Sequence, residues 1–313
     1  MTLINLFLYI VSFIFIWLGS GLIVNSASKF SKKLKLSAFA FSFVFLGILT
    51  STPEFSVGLQ AVADRNASIF VGNLLGGIIV LFLVIIPLLA IFGDGINLKH
   101  ELDHKQLILT MGVIALPSIL ILDKKVTNIE GLIMIISYLI LLFFIQRKNG
   151  IFDRENEQLL DIKSYSLKDI LKIIIGLVIV FISSSLIVSK TIYFANFFNI
   201  STFYISLIVI ALGTDLPELT LAIRSIISGK KDIAMGDYIG AAAVSTLLFG
   251  IFTILHNGEV ITVSNFLTTF IFIITALSLF FFFSFKNQFL TRINGIFMLI
   301  IYILFIAVEL NLN

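Results

Sequence analysis

Leu46-Gly47-Ile48-Leu49-Thr50-Ser51-Thr52-Pro53-Glu54 and, later in the chain, Ile210-Ala211-Leu212-Gly213-Thr214-Asp215-Leu216-Pro217-Glu218 each set a carboxylate directly after a proline inside an apolar run. A charge at membrane depth costs about 2.5–3.5 kcal/mol on insertion scales. A proline there also removes one helical hydrogen bond and frees a carbonyl, that of Leu49 in the first copy and Gly213 in the second. Two disfavoured features that occur together, twice, point to a site.

The surrounding chain supplies the membrane setting. Of 313 residues 59% are hydrophobic and 12% charged, where a soluble domain carries about 25% charge. With a mean hydropathy of +1.12, this is an all-α, polytopic membrane protein. The absence of cysteine excludes a disulfide framework, a thiolate nucleophile and a Cys-ligated metal. A scattered net charge of +3 leaves no footprint for nucleic acid.

Runs of about 20 apolar residues give ten spans, at 2–24, 36–63, 67–92, 106–122, 127–146, 168–190, 200–228, 232–255, 260–284 and 289–310. The first has no basic n-region or small-residue cleavage site and reads as a retained span. Spans two and seven carry the proline–glutamate step and are expected to be kinked or broken. The one extended polar stretch divides the chain into a repeat at 1–147, a cytoplasmic linker at 148–167 and a second repeat at 168–313. With the N-terminus outside, only Arg65, Lys124, Lys125 and Lys190 fall on the outer face, and the other 17 of 21 Lys and Arg fall inside. That asymmetry expects both termini outside, in the plasma membrane of a prokaryote.

The halves align without a gap at an offset of 164 residues (214 − 50). Thr50, Pro53 and Glu54 fall on Thr214, Pro217 and Glu218, and Gly72 and Gly76 fall on Gly236 and Gly240. Five spans per repeat is an odd number, so the second copy enters the membrane from the opposite side. Inverted repeats with interrupted helices and a midplane site are the architecture of secondary transporters.

Thr50, Ser51 and Glu54 share one helix face, as do Thr214, Asp215 and Glu218. Face-to-face packing of the repeats would join Glu54, Glu218, two threonines and the freed carbonyls in an all-oxygen, anionic cage. Such a cage suits a hard cation, and calcium takes 6–8 oxygens at about 2.3–2.6 Å. The structural alternative is a buried ion pair, for which the spans offer only Arg224 and Lys190 near helix ends.

At these residues the sequence resembles the sodium/calcium exchangers of the calcium/cation antiporter superfamily, in their prokaryotic ten-helix form. Those proteins carry Gly-Thr-Ser-x-Pro-Glu on helices two and seven, and Gly-Asn-x-x-Gly-Ser-Asn-x-x-Asn on helices three and eight. The match is strongest at Ala211–Glu218 with Asp232 and Gly236, and it extends in layout over the whole chain. The motifs correspond to 46–82 and 210–246 here. The resemblance implies that Glu54, Glu218, Thr50 and Thr214 bind calcium in alternation with sodium, with no cofactor.

The chain departs from that pattern at several positions. Leu49 stands where the family has glycine. Gly77, Ile78 and Leu81 follow the frame Gly72-Asn73-Leu74-Leu75-Gly76, and Ala241, Ala242 and Ser245 follow Gly236-Asp237-Tyr238-Ile239-Gly240. The family's side chains there help to bind additional sodium, and apolar ones offer it no oxygen. Ser51 and Ser245 keep a hydroxyl. Two carboxylates are gained, Asp215 in place of the motif serine and Asp237 in place of the frame asparagine. Asp237 serves either the site or the N-terminus of helix eight. Three acids close together cannot all stay ionised without cations.

The expectation is a monomeric antiporter, not an enzyme, with partners limited to inorganic cations and membrane lipid, in which spans one and six slide to change access. Calcium/sodium exchange leads. A calcium or other cation/proton antiporter with Asp215 carrying the proton is the first alternative, a degenerate non-transporting paralogue with a binding or regulatory role the second, and an intramembrane two-acid hydrolase the third. His100 and His104, with Glu101 and Asp103, have a spacing that holds zinc but read better as a solvated loop. His256 reads as a lone outer-loop residue.

Overall fold

The prolines that mark the two copies do interrupt their helices. The computed structural model describes residues 2–31, 42–97, 104–148, 167–228, 231–257, 266–287 and 289–311. The first half contains α1 (Thr2–Ser31), α2 (Ser42–Thr50), α3 (Thr52–Ala63), α4 (Ala67–Phe92), α5 (His104–Leu120) and α6 (Asn128–Lys148). The second repeats the series as α7 (Leu167–Phe198), α8 (202–214), α9 (Leu216–Ser228), α10 (Lys231–Leu255), α11 (Phe266–Asn287) and α12 (Arg292–Asn311). Among the described residues eight spans are long and apolar enough to cross a membrane, and α2 with α3 makes a further span bent by 47°. A shorter apolar segment, Leu3–Gly19, lies in α1.

The two copies agree in detail. Both α2 and α8 contain a π-helical turn at twin positions, Ser42–Leu46 and Ser206–Ile210. Both give way at a single residue, Ser51 and Asp215, before a helix with proline at its second position, where the missing N–H has no helical partner to lose. The bend is pronounced in the first copy, whereas Thr202–Ile223 runs on as one span.

The helices α4 and α10 form the centre: 83% and 78% of their apolar windows are buried, against 28% for α6 and α12. Glycine permits the approach of the broken helices to this centre. A Cβ on Gly76 would run into the Leu207 carbonyl of α8, and one on its twin Gly240 would run into the Phe43 carbonyl of α2. Pro117 inside α5 withdraws the N–H that would pair with the Val113 carbonyl. The Thr246 hydroxyl of α10 donates to that carbonyl at 2.9 Å. At one end, Ile96–Asn97 pairs antiparallel with Phe289–Leu290, and Arg292 forms an ion pair with Asp94 beside that ladder.

Outside this centre lie α1 and α7, packed on each other along their length. The Tyr9 and Thr191 hydroxyls are 2.8 Å apart, and Lys190 donates to Asn5 Oδ1 at 2.9 Å. Both helices outrun their expected ends at 24 and 190. Lys190 therefore lies inside α7, with its ammonium held by Asn5 rather than free at a helix end. The helix stops instead at Asn199, whose φ of 55° is left-handed, with Ile200 N–H donating to the Ala195 carbonyl. The pair meets the broken helices through Trp17 Nε1–H, which donates to Thr220 Oγ1 at 2.6 Å, and through the Ser56 and Ser184 hydroxyls, 2.6 Å apart.

His256 lies in the turn that follows α10 and is buried there against Phe70. His104 opens α5 against Phe285, and His100, Glu101 and Asp103 lie outside the described residues.

Because carbonyls face Gly76 and Gly240 directly, valine at either position should destabilise the protein by about 1–3 kcal/mol. A Cβ on Gly112 would meet nothing within 4 Å, so this position should accept valine with little change. Thermal unfolding in detergent, followed by loss of the monodisperse chromatographic peak, distinguishes the two classes.

Candidate cation site

The interruptions at Ser51 and Asp215 place four short helix ends at the centre of the molecule. Glu54 and Glu218 sit in the first turns of α3 and α9, where the helix dipole favours negative charge. One oxygen each from Glu54, Asp215 and Glu218 lie within 4.8 Å of one another. The three residues are 4%, 3% and 1% exposed, and Asp237 on α10 is fully buried.

Hydrogen bonds tie this group across the repeats. Thr50 Oγ1 donates to Asp237 Oδ1 at 3.1 Å, and its twin Thr214 donates to Asn73 Oδ1 at 3.0 Å. Since 73 + 164 = 237, the two bonds are one contact made twice, with an amide in one copy and a carboxylate in the other. Tyr238 OH donates to the Glu218 backbone carbonyl at 3.2 Å. Both oxygens of Glu54, Asp215 Oδ2, Glu218 Oε2 and Asp237 Oδ2 are buried without a hydrogen bond. Among the described residues no Lys, Arg or His pairs with any of the four acids. Buried acids without donors or bases are costly, whereas a cation at the centre of three carboxylates would satisfy them in the way calcium sites are built.

Of the residues singled out from sequence, Glu54, Asp215 and Glu218 come together, Thr50 holds Asp237, and Thr214 faces Asn73. Asp237 lies six residues into α10, beyond its first turn, so it faces Thr50 and not its own helix start. Ser51 and Ser245 are buried but donate to carbonyls of their own helices, Gly47 at 2.7 Å and Ala241 at 3.2 Å, and make no hydrogen bond to the carboxylates. The Leu49 carbonyl, expected to be free because of Pro53, accepts from Thr52 Oγ1 at 2.7 Å. Leu216 stands at the twin position, so the second copy has no such hydroxyl. Asn73 escaped notice as a site residue, although the offset of 164 leads to it from Asp237.

The chain is similar to the inner membrane protein YrbG of Escherichia coli strain K12, at 25% identity over 262 aligned positions that span 81% of this chain and 80% of the relative. It is also similar to the sodium/calcium exchanger MaX1 of Methanosarcina acetivorans, at 24% identity over 98% of this chain and 99% of the relative. In fold it is similar to the sodium-calcium exchanger NCX_Mj soaked with 2.5 mM Na+ and 1 mM Sr2+, with a TM-score of 0.72, 22% identity, and coverage of 98% of this chain and 99% of the other. The profile of the sodium/calcium exchanger protein family matches residues 4–146 and 168–310, nearly all of both repeats. With two matched halves and a carboxylate cluster between them, the chain belongs to the sodium/calcium exchanger protein family.

Proposed function

We propose that this protein exchanges calcium for sodium across the plasma membrane of a prokaryote by alternating access, with Glu54 and Glu218 as the shared midplane cation site. The observation that carries this reading is the gathering of Glu54, Asp215 and Glu218 oxygens within 4.8 Å, without a basic partner among the described residues. Asp215 supplies a third carboxylate to the divalent ion, Thr50 and Asp237 stand beside Glu218, and Thr214 stands beside Glu54. Ser51 and Ser245 keep lone pairs that can turn to an ion. Occupation of one site by either ion in turn forbids their simultaneous passage and gives exchange without a nucleotide or cofactor. The ten spans, with both termini outside, work as a monomer that catalyses no covalent reaction. Membership of the sodium/calcium exchanger family and the likeness to MaX1 support calcium and sodium as the ions.

A second reading, calcium/proton exchange, is favoured by Asp215 itself, an added acid in contact range of two glutamates. The cluster weighs against a degenerate copy, because four buried carboxylates held without a cargo would only cost stability.

Calcium-45 uptake into everted vesicles under an imposed sodium or proton gradient tests the reading. Sodium-driven uptake that falls to the level of empty vesicles in Glu54→Gln and in Glu218→Gln is the expected outcome. Uptake that responds to a pH gradient and ignores sodium would select the proton reading, and uptake that survives both substitutions would remove the site from these residues.

Thr50→Val leaves Asp237 Oδ1 without its donor and should lower stability by about 1–3 kcal/mol. Thr50→Ser should restore most of it, as read by thermal unfolding. If α1 and α7 slide during exchange, cysteines at Ser56 and Ser184, whose hydroxyls touch, should arrest uptake on oxidation and release it on reduction. The native chain has no cysteine to confuse the result.

A further inference from the structure

The offset of 164 sorts the site into two matching groups of three. Glu54 stands beside Thr214, whose hydroxyl donates to Asn73 Oδ1 at 3.0 Å. Glu218 stands beside Thr50, whose hydroxyl donates to Asp237 Oδ1 at 3.1 Å. Under the offset Glu54 falls on Glu218, Thr50 on Thr214 and Asn73 on Asp237. Each group thus takes its glutamate and its central-helix residue from one repeat, and its threonine from the other.

The groups differ in one atom. With Oδ1 held by a threonine, Asp237 has an oxygen left, Oδ2, and Asn73 a nitrogen, Nδ2. Both residues are fully buried, and neither remaining atom makes a hydrogen bond. The oxygen attracts a cation, whereas the amide nitrogen carries two hydrogens and no acceptor to offer one. What that nitrogen does match is a carboxylate, since a hydrogen bond to an ionised acceptor is about twice as strong as a neutral one. Both oxygens of Glu54, in the same group as Asn73, are buried without a donor. A buried donor and a buried acceptor are each costly when left unpaired, and one hydrogen bond relieves both. The same carboxylate favours the amide with its hydrogens toward the acids and its oxygen toward the Thr214 hydroxyl.

We propose that Asn73 is a positioning residue that donates to the Glu54 carboxylate, and that the bound cation therefore rests off-centre, toward Glu218, Thr50 and Asp237. Glu54 divides its charge between the amide and the cation. Glu218 has another acid in place of that amide and gives its charge to the cation alone. The inference rests on the exchange reading above and adds an inequality between two glutamates that the duplication makes equivalent in position.

Equilibrium binding of calcium-45 to the purified full chain tests it, with a melting curve for each variant. In the wild-type background Glu218→Gln should weaken calcium binding at least roughly tenfold more than Glu54→Gln. The paired exchange of Asn73→Asp with Asp237→Asn conserves charge, side-chain size and an Oδ1 acceptor for each threonine. If Asn73 served only as the acceptor of Thr214, this exchange would change nothing. It should instead reverse the order, so that Glu54→Gln becomes the more damaging substitution. Equal losses from the two glutamine variants in the wild-type background would overturn the off-centre position, whether or not the paired exchange folds. An order that the folded paired exchange leaves unchanged would overturn the role of Asn73. Both results would leave a calcium site at the two glutamates standing. Wild-type protein that binds no calcium would overturn the exchange reading and the proposal with it.

Discussion

Four carboxyl groups enclosed by apolar helices, without a base among the described residues to neutralise them, set the condition that the rest of the structure meets. Such groups are costly to bury, and within a membrane segment they are the usual mark of a functional site. The helix breaks serve that end. By ending α2 and α8 at the centre of the molecule and restarting the chain as α3 and α9, they bring Glu54 and Glu218 to helix N-termini. The threonine contacts to Asn73 and Asp237 then tie each broken helix to the central helix of the other repeat.

The same condition explains where the close packing lies. The central helices carry glycine where a partner's carbonyl presses on them, at Gly76 and Gly240, while a Cβ on Gly77 would make only an ordinary contact with Asp215. Neighbouring glycines on one helix thus do different work: Gly76 admits backbone and Gly77 admits none. The proline in α5 follows the rule seen at Pro53. Each leaves a carbonyl behind, and a threonine hydroxyl takes it, from α10 in one case and from the adjacent residue in the other.

Much of this was legible in the residue order. The duplicated proline–glutamate step located the breaks, the apolar runs located most of the described helix ends to within a few residues, and the offset of 164 paired the two halves down to their π turns. What escaped belongs to contacts between distant segments. The extension of α7 past 190 begins where Lys190 and Thr191 meet Asn5 and Tyr9 of α1, contacts that no local hydropathy reports. Asn73 is an ordinary frame residue until Thr214 is seen to donate to it. Gly77 looked like the loss of a serine oxygen. Only the fold brings it next to the Asp215 carboxylate.

The outer pair α1–α7 presents Leu3, Phe7, Ile10 and Ile14 on one side, and Ile174, Val178 and Ile182 on the other, as exposed apolar surface. Hydrocarbon offers such a surface no directional contacts, since lipid tails are as apolar as the side chains. The directional contacts come from within the protein, at Trp17–Thr220 and Ser56–Ser184. Thr220 and Ser56 are themselves a twin pair under the offset of 164. Any shift of these two helices against the rest would have to break both contacts, and the duplication has set one partner of each at an equivalent position.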